Sequence, residues 1–219
     1  MLNFVEQVIR TFDIGQDNVR VGVVTFSGRS VLQFHLNKYS NINQLLDAIS
    51  KIKYLAGSTN TADALRYIRT TSFLKQNGDR NGVPNIVIVI TDGKSNVPMS
   101  TSAEAAKLKM IATIFSIGIG TQVGTKELKA IATDEKHIFT VNNFHALVEI
   151  KHSLAIKTCE AGKETENSRK CPAKADIVFI LDSSGSIGRR NFKKIIKFVQ
   201  SISKHFNVKS DEVQIGLYK

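Results

Sequence analysis

The chain has 219 residues, 42% apolar and 22% charged, an ordinary globular composition with ample apolar residues for a core. No apolar run approaches the ~20 residues that a membrane span requires. Lys plus Arg outnumber Asp plus Glu by 30 to 19, giving +11; this suits acidic partners such as glycosaminoglycan, and equally a plainly solvated basic surface. For nucleic acid there is neither a recognition motif nor an aromatic stacking cluster.

Taken in chain order, Phe4, Val5, Val8, Ile9 and Phe12 have helical spacing, without the basic start and continuous apolar stretch of a secretory signal. The expectation is a chain that begins inside a helix, as a piece of a longer protein. Residues 19–26, rich in β-branched side chains, predict a strand, and residues 31–36 a second one after a short Gly/Ser connection that suits a hairpin. Residues 42–52 carry apolar side chains at helical spacing, and a longer helix is expected from Thr61 to Leu74. Residues 85–91 form a continuous apolar run too short for a comfortable helix, the mark of a parallel strand buried on both faces. Residues 111–119 are another such strand. Helices at 102–109, 125–132 and 143–157 and a short strand near 137–141 complete this stretch. Strands alternating with helices imply an α/β layer architecture.

Residues 158–174 read as a linker, polar and without periodicity, flanked by Cys159 and Cys171. Two cysteines give no tetrahedral zinc set and do not have CxxC spacing. A linker disulfide in an oxidising compartment and two free thiols both remain open. Residues 176–182 predict another buried strand and residues 190–206 a helix. The apolar side chains of that helix lie on one face. Arg189, Arg190, Lys193, Lys194 and Lys197 make a basic surface along it, which is either a solvated face or a contact for sulfated polysaccharide. A last strand is expected at 213–218.

Laying residues 4–25 over 198–219 needs no gap. Phe4, Val5, Phe12, Asp17, Val19 and Gly22 meet Phe198, Val199, Phe206, Asp211, Val213 and Gly216. A period of domain size implies modules in series rather than a solenoid. The division expected is a first module over 1–157 that lacks its opening strand, the linker, and the start of a second module over 175–219. One alternative arrangement is an intrachain permutation, in which strand 176–182 fills the vacant central slot of the first module, since an empty slot would expose two strand edges.

Three segments carry oxygen ligands at strand-to-helix transitions. Asp182-Ser-Ser-Gly-Ser186 follows a buried strand, Thr91-Asp92-Gly93 closes the strand 85–91, and Gly57-Ser-Thr-Asn-Thr61 offers Thr59 before a helix. Ligands bind at the carboxyl ends of strands in open α/β sheets, and hard cations such as Mg²⁺ take oxygen ligands. Any one of these segments alone is as well explained as a helix cap or a turn; three together point to a site.

The combination resembles the metal-ion-dependent adhesion site of von Willebrand factor A domains, and the resemblance covers nearly the whole chain. It is carried by residues 21–26, 57–65, 90–93, 114–119 and 176–187, and is nearest in flavour to the tandem modules of matrilins and microfibrillar collagens. The resemblance implies a Rossmann-like, doubly wound α/β fold: a mostly parallel central sheet with one antiparallel edge strand and helices on both faces. It implies Asp182, Ser184, Ser186, Thr59 and Asp92 as ligands of Mg²⁺, or of Mn²⁺ or Ca²⁺. It also implies an extracellular, secreted protein that binds matrix or cell-surface proteins such as collagens or other modules of the family. Where the chain departs from the family, the first module lacks its own DxSxS and the second lacks its Thr and Asp loops.

An enzyme is not expected. Asp182 lacks the DxD of an aspartyl phosphatase, and His35, His137, His145, His152 and His205 belong to no Ser/His/Asp constellation. An intracellular scaffold of the same family is the third class considered. The linker cysteines and the domain-scale repeat argue against it.

Overall fold

Four apolar runs decide the architecture. In a computed structural model that describes residues 19–121, 124–161 and 175–203, they become strands β1 (Val19–Phe26), β3 (Asn85–Thr91), β4 (Thr113–Ile119) and β6 (Ala175–Asp182), buried along nearly their whole length. Strands covered on both faces have no polar side to alternate with, which is why these segments read as unbroken Val/Ile/Leu/Phe. Two shorter strands, β2 (Ser30–Phe34) and β5 (Ile138–Val141), form the edges. The sheet has six strands in the order β2-β1-β6-β3-β4-β5, all parallel except the β1–β2 hairpin.

Strand β6 is the last strand among the described residues and lies centrally in the sheet. It pairs in parallel with β1 from Val19↔Ala175 to Phe26↔Asp182 and with β3 from Asn85↔Asp176 to Ile90↔Leu181. Residues 177–181 are at most 1% exposed. Each such side chain contributes about 1.5–3 kcal/mol by leaving water, and the strand satisfies two sheet edges that would otherwise stand open. The described residues thus make one sheet, which takes in strand 175–182, while residues 158–161 of the expected linker belong to the helix Leu147–Ala161.

Alternation along the strands sends side chains to two cores. On one face Val21, Val23, Ile88, Phe115, Ile177 and Phe179 pack with α1 (Ile42–Ser50), α5 (Leu147–Ala161) and α6 (Gly188–Ser203). On the other, Val24, Phe26, Val87, Val89, Val178 and Ile180 pack with α2 (Thr61–Tyr67), α3 (Pro98–Leu108) and α4 (Thr125–Ile131). The helix expected over 61–74 is α-helical only to Tyr67 and continues as a π-turn, Ile68–Ser72. Helix α3 begins four residues earlier than its apolar pattern indicates, because Pro98 occupies the first helical turn where a missing N–H costs nothing.

Residues 4–12, 162–174 and 204–219 lie outside the described residues, and with them the first helix, the last strand, Cys171 and His205. The side chain of Cys159 is also outside them, so the disulfide expectation is too.

Candidate metal site

The parallel strands deliver three loops to the carboxyl edge of the sheet. The loop after β6 is anchored first by its backbone: Ser183 N–H donates to Phe26 O (2.9 Å), Ser183 Oγ donates to the same carbonyl (2.8 Å), and Gly185 N–H donates to Gly57 O (2.7 Å). The last bond ties the β6 loop to the Thr59 loop. A Cβ on Gly185 would stand 3.3 Å from Gly57 O, so the approach requires glycine or a shift of backbone. The Thr59 loop turns through two left-handed residues, Ala56 (φ 61) and Gly57 (φ 111). Glycine adopts this conformation freely, while alanine there is strained. Asn60 then caps α2, accepting from Asp63 N–H, and Asn60 N–H donates to Ser27 O. Thr59, 8% exposed, is thereby fixed between two anchored residues.

The side chains converge. Asp182 is fully buried; Oδ2 accepts from Thr91 Oγ1 (2.7 Å) and Oδ1 from Ser184 N–H (2.8 Å). Ser184 Oγ and Ser186 Oγ lie 3.0 Å apart, and Ser186 Oγ donates to Asp92 Oδ1 (2.8 Å). Thr59 Oγ1 and Ser186 Oγ both lie beside Gly93, 4.0 and 3.7 Å from where a Cβ on that glycine would stand. All five sequence-predicted residues, Asp182, Ser184, Ser186, Thr59 and Asp92, therefore meet at one place, although they lie on three loops.

Charge sharpens the picture. Burial pushes the Asp182 carboxyl up from its ordinary range, against the bonds from Ser184 and Thr91 that favour the ionised form. Asp92 is also raised, by burial first and then by repulsion from Asp182, partly offset by the Ser186 bond. Among the described residues no Lys, Arg or His forms an ion pair with either carboxylate. Two neighbouring carboxylates and three hydroxyls, all oxygen and without a protein cation, fit a hard divalent ion with oxygen coordination.

Three further residues support these five, and two of them were not legible in the sequence. Thr91 binds Asp182 directly. Tyr54 donates its hydroxyl to Ser184 O (3.0 Å), bracing the loop from the segment after α1. Glu127, half-buried in the first turn of α4, accepts from Ser95 N–H with both oxygens (2.9 and 3.0 Å). Burial raises its carboxyl, Lys94 opposes that, and Asp182 adds to it. Thr91 was readable as the residue before Asp92. Tyr54 and Glu127 sit in ordinary loop and helix-start patterns and become neighbours only through the tertiary fold.

The predicted basic surface divides in two. Arg189, Lys193 and Lys197 are exposed toward the segment after α1, whereas Lys194 turns the other way, against His145 Nε2 (3.0 Å) and Asn191. Arg190 is exposed beside them.

A six-stranded, mostly parallel sheet flanked by helices, with a cluster of side-chain oxygens at its carboxyl edge, defines a doubly wound α/β domain. The chain belongs to the von Willebrand factor type A domain family, whose model matches residues 1–153 and 176–219. It is 36% identical over 223 residues to the collagen alpha-6(VI) chain of Homo sapiens, a match that takes in 99% of this chain and 9% of that relative. It is 28% identical over 222 residues to vitrin of Mus musculus, covering 97% of this chain and 34% of vitrin. The chain thus spans well under half the length of these relatives. Among solved structures it resembles proximal thread matrix protein 1 from the mussel byssus with a zinc-occupied MIDAS motif. That match has a TM-score of 0.60 and 32% identity, and covers 69% of this chain and 38% of that one.

Proposed function

We propose that this chain is an adhesion module of the extracellular matrix that binds protein partners through a divalent cation held by Asp182, Ser184, Ser186, Thr59 and Asp92. One observation carries the reading: the 2.8 Å bond from Ser186 Oγ to Asp92 Oδ1 joins ligands from two strand ends that lie 94 positions apart in the chain. A cation held by these residues would supply a Lewis-acidic contact for a carboxylate oxygen of the partner. The chain's own residues hold that ion, orient the serine and threonine hydroxyls around it through the Tyr54 and Gly57 anchors, and exclude water from Asp182. Mg²⁺ suits the hydroxyl-rich oxygen set, and Mn²⁺ and Ca²⁺ are alternatives of the same ligand chemistry. The likeness to collagen VI chains, vitrin and a byssal matrix protein supports a secreted, matrix setting and partners such as collagens or other modules of the family. The unbroken match of residues 4–25 to 198–219 supports a parent protein with such modules in series. The role is binding, not catalysis.

The test is solid-phase binding of the chain to a panel of purified matrix proteins in Mg²⁺ and in chelator. Retention by at least one of them in Mg²⁺, lost in chelator and in Asp92→Ala, is the expected result. Retention that is indifferent to both would show a module that binds without the ion.

A further inference from the structure

A groove of about 520 Å³ opens beside the metal loops, between α6 and the segment that follows α1. Its floor is apolar: Ile52, Tyr54, Phe192 and Ile196, with the Tyr54 and Phe192 rings 5.7 Å apart. Its rim is cationic: Lys53, Arg189, Lys193 and Lys197, all exposed. The three on α6 are spaced four residues apart and so stand in one row. Among the described residues, none of the four cations has a carboxylate within ion-pair distance.

The groove is fixed at both ends. Gln200 Nε2 donates to Leu46 O (2.8 Å), tying α6 to α1, and Tyr54 donates to Ser184 O (3.0 Å). Tyr54 thus both lines the floor of the groove and braces the loop after β6, and Arg189 follows Ser186 by three positions. A solvated basic face needs no apolar floor, and a sulfated polysaccharide has little with which to fill one. Polypeptide supplies both complements at once, carboxylates for the rim and apolar side chains for the floor.

We propose that this groove seats an acidic segment of the protein partner that also carries apolar side chains, extending the contact made at the metal. The placement of that segment beside a metal-bound carboxylate rests on the metal-site reading; the groove contacts themselves do not.

Fluorescence anisotropy of the whole chain in Mg²⁺ tests this, with a short labelled peptide of alternating glutamate and leucine as the probe. Paired Lys193→Glu and Lys197→Glu changes are expected to weaken binding by about tenfold or more, since like charges replace complementary ones. The milder Lys193→Gln, Lys197→Gln pair should fall between, guarding against a folding defect, and Mg²⁺ titration should be the same in both. A peptide with glutamine in place of glutamate should not bind. Unchanged affinity in the Glu pair overturns the proposal, as does a heparin oligosaccharide that binds through these lysines where the peptide does not. Lysine-dependent binding that ignores chelator and Asp92→Ala upholds the groove and removes its link to the metal.

Discussion

Strand β6 carries a fully buried aspartate near each end, and the two live in opposite surroundings. Asp176, near the amino end, is gripped by Arg80, whose Nη2 and Nε lie 2.7 and 3.0 Å from Oδ1 while its backbone N–H donates to Oδ2 (3.1 Å). Burial pushes that carboxyl up and the guanidinium pulls against it. Asp182, six residues on, has hydroxyl and amide donors and, among the described residues, no cationic side chain in ion-pair reach. One end of the strand pairs its carboxylate with Arg80; the other sets two carboxyl groups, without an ion-pair partner among the described residues, at the edge where three loops meet. The lesson is that burial of a carboxylate does not by itself mark function. The proposed metal site rests on more than burial: a second carboxylate and an array of hydroxyls stand beside Asp182, and no ion pair joins it among the described residues.

That contrast predicts unequal consequences at the two ends. Asp176→Ala removes the buried carboxylate that the half-buried Arg80 grips and should cost about 1.5–3 kcal/mol of stability, read as a lower urea midpoint, with metal affinity of the folded protein unchanged. Asp182→Ala should leave the metal-free stability close to wild type while abolishing the response to metal. If Asp182→Ala is the more destabilising of the two without metal, the comparison fails.

Next in size is the stabilisation by the ion itself. Mg²⁺ at a hundred times its dissociation constant should raise the unfolding free energy of the wild type by about 2.7 kcal/mol. Asp176→Ala should keep that increment and Asp182→Ala and Asp92→Ala lose it. Ser186→Ala removes one hydroxyl and its bond to Asp92, and a weakening of metal binding by about tenfold, or ~1.4 kcal/mol, is expected in calorimetry. An unchanged affinity would take Ser186 out of the ligand set.

The smallest effect concerns a third carboxylate, which has a cation but is less deeply placed. Asp63 in α2 accepts from Ser30 N–H and Oγ (2.7 Å each) and from Arg66, tying the helix after Thr59 to β2. Burial would raise its pKa, but these bonds prevail and hold it below the ordinary 3.8. Its stabilisation is therefore full above that value and is lost as pH falls through the lower folded one. Asp63→Asn should cost about 1 kcal/mol at neutral pH, and the gap to wild type should close in acid. A gap that widens in acid would contradict the assignment.

Much of this was legible in the sequence because it depends on residue type and local period. The unbroken apolar runs announce strands covered on both faces, and Asp182, Ser184, Ser186, Thr59 and Asp92 are conspicuous as oxygen ligands at strand ends. Strand order is a different matter. Nothing local in residues 175–182 says that they lie between β1 and β3, since parallel pairing is decided by segments far apart in the chain; the placement was readable only as the alternative in which this strand fills a vacant central slot. The Asp176–Arg80 grip was likewise unreadable, because an arginine in a polar loop has no period to betray its partner 96 positions away. The split of the basic face was available in principle: Arg189, Lys193 and Lys197 share one helical row and Lys194 falls on another. Which row borders an apolar groove depends on where α1 packs.

On the proposed function, the loops around Thr59 and Asp92 and the loop Asp182–Ser186 hold one ion. Calorimetric titration of Mg²⁺ and Mn²⁺ into this chain, beside Asp182→Ala and Asp92→Ala, tests it most directly. One ion bound per wild-type chain, and none in either variant, is the predicted result. Binding that survives in one of the variants, or a wild type that takes up no ion, would contradict it.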